Sequence, residues 1–475
     1  MIIKEKLREL AMKNNKITLI NPPWNTKYPQ PPLGLASLAA VLERDHYKVE
    51  ILDSNALKLS VNEIITKTSN SEIIALTAMT PTINIVMDIA KRIKEVNSDS
   101  KIIVGGPHAT ILPTDVLNKC SDIDVIVSGE GENTLLELVT KIENGEDINT
   151  VQGIAYRDNG KIKQTPPRTL IEDLDSLPFL AYHLLPFDKY RLHPPHGKRS
   201  PFMAMLTSRG CPYDCTFCSK SVFGSTCRYQ SPKRIVNEIE YLYERFNVKE
   251  IAFYDDIFTL NKKRVYEFLN ELKKRNLDIA WTCEARVNLV NRELLCEMQK
   301  SGCYMVSFGI ESGNQQILDS LSKNITIQQI RDAVGATHNA GIEGVGYFMI
   351  GSPGETPDTI RDTIDFAKSL PLDYVQFSIA TPFPGTKFFD YFLKLHKKSP
   401  NWDDFVYANL ESGNRPVFET ESLSKNDLMH LNSQAYKEFY LRFSYLTQRL
   451  RGIHSINDLK NNIKGVNMFI NMIRG

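Results

Sequence analysis

Short apolar runs that alternate with longer amphipathic helical patterns fill most of this 475-residue chain. Continuous apolar strands between helices predict a parallel sheet that is covered on both faces. The fold class is therefore α/β, and residues 1–145 are predicted to form a Rossmann-like, doubly wound domain. In this part of the chain the predicted strands are KITLI (16–20), KVEIL (48–52), EIIAL (72–76), KIIVG (101–105) and DVIVSG (124–129).

A second alternating series predicts another α/β domain over residues 201–395. Six strand–helix units are too few to close an eight-stranded barrel, so the pattern favours a partial (βα)6 barrel with its chemistry at the strand carboxyl ends. Residues 146–200 are predicted to be a connector with a hairpin turn at Asp158-Asn159-Gly160, and residues 396–475 a helical C-terminal domain. The six predicted barrel strands are 202–208, 250–256, 279–285, 304–310, 344–351 and 374–381.

Composition limits the classes of partner and compartment. A net charge of +1 gives no overall attraction to nucleic acid, so no nucleic-acid partner is expected. No segment approaches the roughly 20 apolar residues of a membrane span, and the opening MIIKEKLRELAMKNN is charged throughout, unlike a secretory signal. The predicted location is cytoplasmic, where clustered cysteines indicate metal or redox chemistry.

Three clustered cysteines carry the strongest functional signal. Cys211, Cys215 and Cys218 lie in the run CPYDCTFC, directly after the first predicted barrel strand. Thiolates are the ligands of iron–sulfur clusters, and three of them leave one iron of a [4Fe–4S] cluster open for a substrate. The alternative is a zinc site, which prefers four ligands, and the best fourth candidate is Cys227.

This C-x3-C-x2-C motif, with an aromatic residue before its last cysteine, resembles the radical S-adenosylmethionine (SAM) superfamily. The resemblance implies that the three cysteines hold a [4Fe–4S] cluster, whose open iron chelates the amino and carboxylate groups of SAM. Reductive cleavage of SAM then gives a 5′-deoxyadenosyl radical.

Other strand ends match the same family's SAM-binding segments. The second-strand segment FYDDIFT lacks the usual Gly-Gly-Glu, so its two aspartates are substitutes, with a solvated or helix-capping role as the alternative. A core ion pair is the alternative for Glu311. The predicted SAM contacts are Phe217, Asp255, Asp256, Glu284, Arg286, Glu311, Ser312, Met349 and Ile350.

Small and polar residues follow the strands of the first domain. Ligands of doubly wound sheets bind beyond the strand carboxyl ends, where glycines allow close approach to the backbone. The order of domains, with PPLGLASLAAVL, GGPHAT and SGEGE in the first, resembles the cobalamin (B12)-binding branch of the radical SAM family. The predicted cobalamin contacts are Thr77, Thr80, Gly105, Gly106, Pro107, His108, Gly129, Glu130, Gly131 and Glu132.

The chain departs from many other cobalamin proteins in lacking Asp-x-His-x-x-Gly, whose histidine ligates cobalt. Cobalamin is therefore expected to bind without that ligand, and His108 is expected more as a hydrogen-bonding or loop residue than as a cobalt ligand. A domain that has lost cobalamin and shapes the substrate site is the alternative.

The resemblance implies a methyltransferase that uses methylcobalamin and the adenosyl radical, under anaerobic conditions, to methylate an unactivated carbon. One alternative is a radical cyclase or oxidoreductase of the anaerobic magnesium-protoporphyrin ester cyclase type, and a second is a sensor without turnover. An electron donor such as flavodoxin or ferredoxin is the expected protein partner. The substrate class stays open among a small molecule, a lipid, a tetrapyrrole and a protein side chain.

Overall fold

The chain is described here from a computed structural model, which covers residues 16–192 except 25 and 27, then 197–397, 400–405, 416–443, 445 and 447. Two compact units divide these residues. The first holds the chain up to Arg191 together with Lys220–Tyr229, and the second holds Leu192–Ser219 and the chain from Gln230 onward. In the part of the chain that is described, no helix is long and apolar enough to cross a membrane.

A seven-stranded sheet forms the centre of the first unit, in the order β2-β1-β3-β4-β5-β6-β7. Its first five strands are parallel, as predicted for a doubly wound domain, and their order 2-1-3-4-5 is that of flavodoxin-like folds. The strands are β1 Lys16–Asn21, β2 Lys48–Asp53, β3 Ile73–Thr77, β4 Lys101–Gly105, β5 Val125–Val127, β6 Ile154–Asp158 and β7 Lys161–Gln164.

The predicted hairpin joins this sheet. β6 pairs antiparallel with β5, and β7 with β6, so the sheet continues into the segment that the sequence assigns to the connector. Asn159 and Gly160 have φ of +49° and +77°, the backbone that a tight two-residue hairpin turn requires.

Helices of the first unit pack in pairs. α1 packs against α6, and α2 packs against α3. Parallel strands joined by right-handed crossovers place such pairs on opposite faces of the sheet, which explains why the strands are apolar on both sides. The helices are α1 Leu33–Arg44, α2 Val61–Thr68, α3 Ile83–Val96, α4 Pro107–Ile111, α5 Pro113–Lys119 and α6 Glu132–Asn144.

Six parallel strands form the sheet of the second unit, in the order β15-β14-β13-β12-β11-β8, as expected for a partial barrel. Two-residue strands, β9 Ser208–Arg209 and β10 Arg228–Tyr229, follow β8 in the chain. The six are β8 Phe202–Met205, β11 Glu250–Phe253, β12 Ala280–Ala285, β13 Cys303–Glu311, β14 Glu343–Ile350 and β15 Tyr374–Ile379.

Helices follow the barrel strands and bury an aromatic cluster. Phe253, Phe258, Phe268 and Trp281 are all buried, with ring centroids 4.6–5.8 Å apart, the spacing of favourable ring pairs. The helices are α7 Pro232–Phe246, α8 Lys262–Arg275, α9 Arg292–Lys300, α10 Gln315–Ser320, α11 Ile327–Asn339, α12 Pro357–Ser369, α13 Lys387–His396 and α14 Lys425–Tyr440.

Helix α14 covers the open edge of the barrel sheet. The Tyr436 hydroxyl accepts a hydrogen bond from the Phe377 N–H at 3.0 Å and donates to the Phe377 carbonyl at 3.1 Å. One helical turn on, Tyr440 bonds both backbone groups of Val375, at 3.0 and 2.8 Å. Two phenols therefore take the place of a neighbouring strand along β15. The predicted helical pattern GVNMFINMI lies outside the described residues.

Candidate functional site

The loop that carries the three cysteines begins at the carboxyl end of β8 and is fixed by Asp255. This fully buried carboxylate accepts hydrogen bonds from the N–H and hydroxyl of Thr207, both at 2.7 Å, and from the N–H and hydroxyl of Ser208. Arg264 donates to the Thr207 carbonyl at 2.9 Å. Burial raises the pKa of Asp255, whereas Arg264 and these hydrogen bonds lower it. Four donors fill the acceptor positions of one carboxylate, so Asp255 positions the loop.

The three thiols lie close enough to influence one another. Cys211 and Cys215 are half-buried and Cys218 is exposed. The pKa of the Cys218 thiol is raised to about 11, chiefly because the thiol is partly desolvated even though the residue as a whole is exposed. The nearby Asp256 carboxylate and the other two thiols raise this pKa further. Among the described residues, no three Cys, His, Asp or Glu side chains converge on the position of one metal ion. The effect of the other two thiols on the pKa of Cys218 therefore places the three thiols of the motif near one another.

A cavity of about 410 Å³ opens where the barrel strands end. It brings together five of the nine residues that the sequence predicts for SAM: Asp255, Asp256, Glu284, Arg286 and Glu311. Their convergence follows from the parallel sheet, because the carboxyl ends of its strands share one edge. The other lining residues are Tyr254, Ile257, Ala285, Gly309, Lys323 and Tyr347.

Two cations of this cavity contact aromatic residues of the cysteine loop. The Arg286 guanidinium lies 3.8 Å from the centre of the Tyr213 ring, and the Lys323 ammonium lies 5.7 Å from that of Phe217. Arg286 also donates to the Asn288 side chain at 3.0 Å. These cation–π contacts lie at the end of the cavity beside the cysteines, and we call this end the mouth of the cavity.

Asp256 differs from its neighbour Asp255. It is exposed, and within the described residues its carboxylate accepts no hydrogen bond. Desolvation and the nearby Asp255 charge raise the pKa of Asp256. A carboxylate at the cavity mouth that lacks a protein donor is available to a ligand cation.

Glu311 and Lys323 form an ion pair at 2.6 Å, with side chains 12% and 10% exposed. Glu311 has φ of +68°, in a bulge of β13, and a Cβ on Gly309 would come within 2.8 Å of both side chains. Gly309 therefore leaves the space that the pair fills. The ion-pair alternative for Glu311 is present in the structure, and it involves Lys323, a lysine that sequence reasoning missed.

Glu284, Tyr254 and Tyr347 form a second polar group in the cavity. The Tyr347 hydroxyl donates to Glu284 at 3.2 Å. Desolvation raises the pKa of Glu284 to about 8, although this hydrogen bond lowers it. Desolvation and the Glu284 charge raise the pKa of Tyr254 in turn. This carboxyl is therefore largely protonated at neutral pH unless a cation joins it.

The remaining predicted SAM contacts lie outside the cavity lining. Ser312 is fully buried and shares a hydrogen bond of 3.0 Å with Thr363. Met349 and Ile350 pair through their backbone with β15, and their side chains are buried. Phe217 lies in the cysteine loop.

A buried carboxyl also closes the loop after β14. Glu355 is fully buried and accepts hydrogen bonds from the N–H groups of Gly351 and Ser352 at 2.6 and 2.8 Å. Desolvation raises the pKa of Glu355 to about 7, in spite of these two donors. The Glu of the run GSPGE therefore shapes the turn and does not line the cavity.

In the first unit, the predicted cobalamin contacts lie where β3, β4 and β5 end. Gly106 has φ of +92°, and a Cβ there would come within 2.8 Å of Thr77 and Ala78 atoms. His108 is fully buried, and its Nδ1 lies 3.1 Å from the Thr80 hydroxyl. Burial lowers the pKa of His108 to about 4, so its imidazole is neutral. Pro107 begins the short helix α4.

The ends of β3, β4 and β5 form a rim of the first unit, and the glycines and glutamates after β5 hold this rim together. The Gly129 N–H donates to Thr110 at 3.0 Å, and a Cβ on Gly131 would contact Leu38 at 3.0 Å. Glu132 accepts a hydrogen bond from Ser37 at 2.7 Å. Glu130 forms a buried ion pair with Arg228 at 2.8 Å, which no local sequence pattern indicates. Both carboxylates are thus satisfied within the protein.

Asp53 is a further buried residue that sequence reasoning missed. It accepts hydrogen bonds from Asn21 at 2.9 Å and from the Tyr190 hydroxyl at 3.0 Å, and it is fully buried. Desolvation raises its pKa, against these hydrogen bonds. The contact joins the ends of β1 and β2 to a tyrosine 137 positions later in the chain, a separation at which sequence gives no local signal.

Comparison with known proteins identifies both units. A family model of the Radical SAM superfamily matches residues 205–367, and one of the B12 binding domain matches residues 25–139. An uncharacterized methyltransferase of Pyrococcus horikoshii is 38% identical over 441 residues, which cover 91% of this chain and 94% of that protein. The anaerobic magnesium-protoporphyrin IX monomethyl ester cyclase of Rubrivivax gelatinosus is 33% identical over 425 residues, covering 88% and 75%.

Solved structures share the fold. The cobalamin-dependent SAM radical enzyme OxsB, with aqua-cobalamin and SAM bound, matches 98% of this chain and 72% of its own, with a TM-score of 0.76 and 19% identity. The radical SAM methyltransferase TsrM from Kitasatospora setae matches 86% and 79%, with a TM-score of 0.69 and 18% identity. Together with the sequence relatives, these matches confirm the predicted family: the chain belongs to the cobalamin-binding radical SAM enzymes, whose cofactors are a [4Fe–4S] cluster, SAM and cobalamin.

Proposed function

We propose that this protein is a cobalamin-dependent radical SAM methyltransferase that methylates an unactivated carbon. One observation carries the proposal: Asp256, an exposed carboxylate that has no hydrogen-bond donor among the described residues, lines a cavity beside three neighbouring thiols. This arrangement suits a ligand that carries both a cation and an iron-chelating group. The relative from Pyrococcus horikoshii, which is named a methyltransferase, supports the choice of reaction.

Cys211, Cys215 and Cys218 would hold the cluster, and their number leaves one iron open. When bound, the cluster and cobalamin supply the electron and the methyl carrier that this chemistry needs. The chain's own residues bind and orient the substrates around those groups.

In this proposal, the mouth of the cavity binds the methionine part of SAM. Asp256 accepts a hydrogen bond from the amino group, and Arg286 and Lys323 face the carboxylate. Tyr213 and Phe217 cover these cations on the cysteine side and keep water from them. Asp255 is assigned to the cysteine loop, because its acceptor positions are filled. Glu311 lies beside the ribose, and the backbone of Met349 and Ile350 beside the adenine.

Cobalamin contacts are proposed for the rim of the first unit. Gly105, Gly106 and Gly129 offer backbone at the strand ends, where parallel sheets bind ligands. Thr77, Thr80, Pro107 and Gly131 border the same edge. His108 is assigned to positioning the Gly106 turn through Thr80, and Glu130 and Glu132 to holding the rim.

A radical cyclase is the second candidate function. The 33% identity to the Rubrivivax gelatinosus cyclase favours it, and the same cysteines and SAM contacts would serve. The two functions differ in where the methyl group of SAM goes, because only a methyltransferase places it on the substrate.

Methyl-labelled SAM tests the proposal. Anaerobically reconstituted protein, with cobalamin and a reductant, is incubated with trideuteromethyl-SAM and a small-molecule extract of the source cells, and products are followed by mass spectrometry. A methyltransferase gives a product heavier by the labelled methyl group, and Cys215→Ala gives none. An unlabelled product that depends on Cys215 favours the cyclase. SAM cleavage in either case dismisses the sensor alternative.

The proposal includes an electron donor and a compartment. The cluster must receive an electron for each SAM cleaved, and a small carrier such as flavodoxin or ferredoxin is the class of partner that supplies one. Three thiolates that must stay reduced for iron favour the cytoplasm.

A further inference from the structure

The cavity has two layers along the strand direction. Glu284 pairs with Ser307 in the barrel register, and Arg286 follows two residues later, roughly 7 Å further toward the strand ends. Phe253 pairs with Cys283, and the next residues on the two strands are Tyr254 and Glu284, so Tyr254 lies at the level of Glu284. The deep layer therefore contains Tyr254 and Glu284, whereas Asp256 and Arg286 lie at the mouth. Tyr347 pairs with Gly309, which puts its backbone at the level of Arg286, and its hydroxyl reaches back to Glu284 at 3.2 Å.

The mouth layer is tied to the cysteine loop. Arg286 contacts Tyr213, Lys323 contacts Phe217, and Asp256 influences the Cys218 thiol. A SAM molecule that chelates the cluster through its amino and carboxylate groups has both groups at the mouth. The deep layer is then left for the other reactant.

The charges of the cavity are unevenly paired. Lys323 pairs with Glu311, and Arg286 is held by Asn288 and Tyr213. Within the described residues, Glu284 has one hydrogen bond, from the Tyr347 hydroxyl at 3.2 Å, and no cation in contact. A desolvated carboxyl without a cation is costly, and that cost falls when a ligand brings one.

The neighbours of Glu284 indicate the type of ligand. Tyr254 is 39% exposed although it lines the cavity, and Tyr347 also lines it. A carboxylate that lines a cavity together with two phenols is a composition that recognises cations, because ring faces attract positive charge and the carboxylate neutralises it. A neutral hydroxyl would gain only the hydrogen bond.

We propose that Glu284, with Tyr254 and Tyr347, binds a cationic nitrogen of the substrate, so that this enzyme acts on an amine-bearing compound. This proposal rests on the methyltransferase function above and changes the assignment of Glu284 from SAM to the substrate. The nitrogen lies in the deep layer, and the carbon to be methylated extends from it toward the mouth.

A pair of probes of similar size tests the class of ligand. n-Butylammonium and n-butanol are titrated into the cluster- and SAM-loaded full chain, and binding is followed by ligand-observed NMR. The ammonium should bind at least about tenfold more tightly than the alcohol, as a charge-assisted hydrogen bond and cation–π contact imply. Glu284→Gln should remove this preference, and Tyr347→Phe should reduce it. Asp278→Asn, which removes a carboxylate outside the cavity, is the matched control and should keep it.

Two results would overturn the assignment. One is equal binding of the two probes to the wild-type protein. The other is a loss of SAM affinity in Glu284→Gln as large as that in Asp256→Asn, because Glu284 would then be a SAM contact. If Glu284→Gln does not load a cluster, Glu284→Asp keeps the charge and should retain part of the preference. Failure of the methyltransferase proposal would show separately, as absent SAM cleavage in the wild-type protein.

Discussion

Arg228 and Glu130 form a buried ion pair in which one guanidinium nitrogen contacts both carboxylate oxygens, at 2.9 and 2.8 Å. Their side chains are 8% and 3% exposed. Arg228 also donates to the carbonyls of Ile171 and Phe223, at 2.6 and 3.1 Å. The pair fixes the segment Lys220–Tyr229, which follows the cysteine motif in the chain, within the first unit.

Replacing Arg228 with methionine should destabilise the first unit by about 3–5 kcal/mol, because it leaves the Glu130 carboxylate buried without a cation. Denaturant unfolding measures this loss. Lys16→Met is the control, since Lys16 pairs with Glu50 at the surface and its removal should cost less than about 1 kcal/mol. A loss in Arg228→Met no larger than in the control would show that the pair contributes little.

Asp256→Asn should lower SAM affinity about 10- to 100-fold, because a hydrogen bond from the SAM amino group to a charged carboxylate contributes roughly 1.5–3 kcal/mol. Equilibrium dialysis with the cluster-loaded protein measures this. Asp255→Asn is the neighbouring comparison. It should instead destabilise the protein and reduce iron loading, because Thr207 and Ser208 lose their acceptor. The opposite pattern in the two variants would reverse their roles.

Gly106→Ala should cost roughly 3 kcal/mol and abolish cobalamin binding, because both its positive φ and its contacts with Thr77 and Ala78 exclude a Cβ. Gly129→Ala separates these causes. Gly129 has φ of +76° but open space around it, so the alanine should cost only about 1–2 kcal/mol. Thermal unfolding with and without hydroxocobalamin checks both variants, and equal losses would rule out the steric contribution.

Glu355 should make the barrel less stable as pH rises from about 4.5 to about 7. Its pKa is raised to about 7 in the folded protein, so the folded state holds a proton that the unfolded state has lost in this range. The contribution of Glu355 to the free energy of unfolding is fully present below its pKa in the unfolded chain. This contribution, on the order of 3 kcal/mol, is lost as the pH rises through the pKa of Glu355 in the folded protein. In Glu355→Gln this fall should be absent. An unchanged pH profile in the variant would assign the effect to other groups.

Tyr436→Phe should destabilise the second unit by about 1–3 kcal/mol, because the Phe377 N–H at the edge of β15 loses its acceptor. Tyr440→Phe should act similarly at Val375. Aggregation on mild heating should rise in the double variant, since an open strand edge pairs with other chains. The control is Tyr266→Phe, on the half-buried outer face of α8. If the Tyr436→Phe and Tyr440→Phe variants were as stable as the control, other contacts would have to protect the edge of β15.

Local patterns made most of the fold and the cysteine site predictable. Each predicted barrel strand is present, because buried parallel strands need continuous apolar runs that the sequence displays. The cysteines were identifiable because all three lie within eight residues of one loop.

Contacts between distant residues set the limit of that prediction. Nothing in the run YDD distinguishes Asp255 from Asp256, because the difference lies in Thr207 and Ser208, nearly 50 positions earlier. Lys323 reaches Glu311 after a short helix, and it lies between two residues with positive φ, Ser322 and Asn324. The Tyr347 hydroxyl reaches Glu284, 63 residues earlier, a separation at which no local pattern gives a signal.

Reductive cleavage of SAM tests the central claim most directly. Protein reconstituted with iron and sulfide under anaerobic conditions is reduced in the presence of SAM, and the 5′-deoxyadenosine released is quantified for the wild type and Cys215→Ala. The wild type should bind about four iron atoms and release 5′-deoxyadenosine, and the variant should release none. Equal release by the two proteins, or zinc in place of iron in the wild type, would contradict the account.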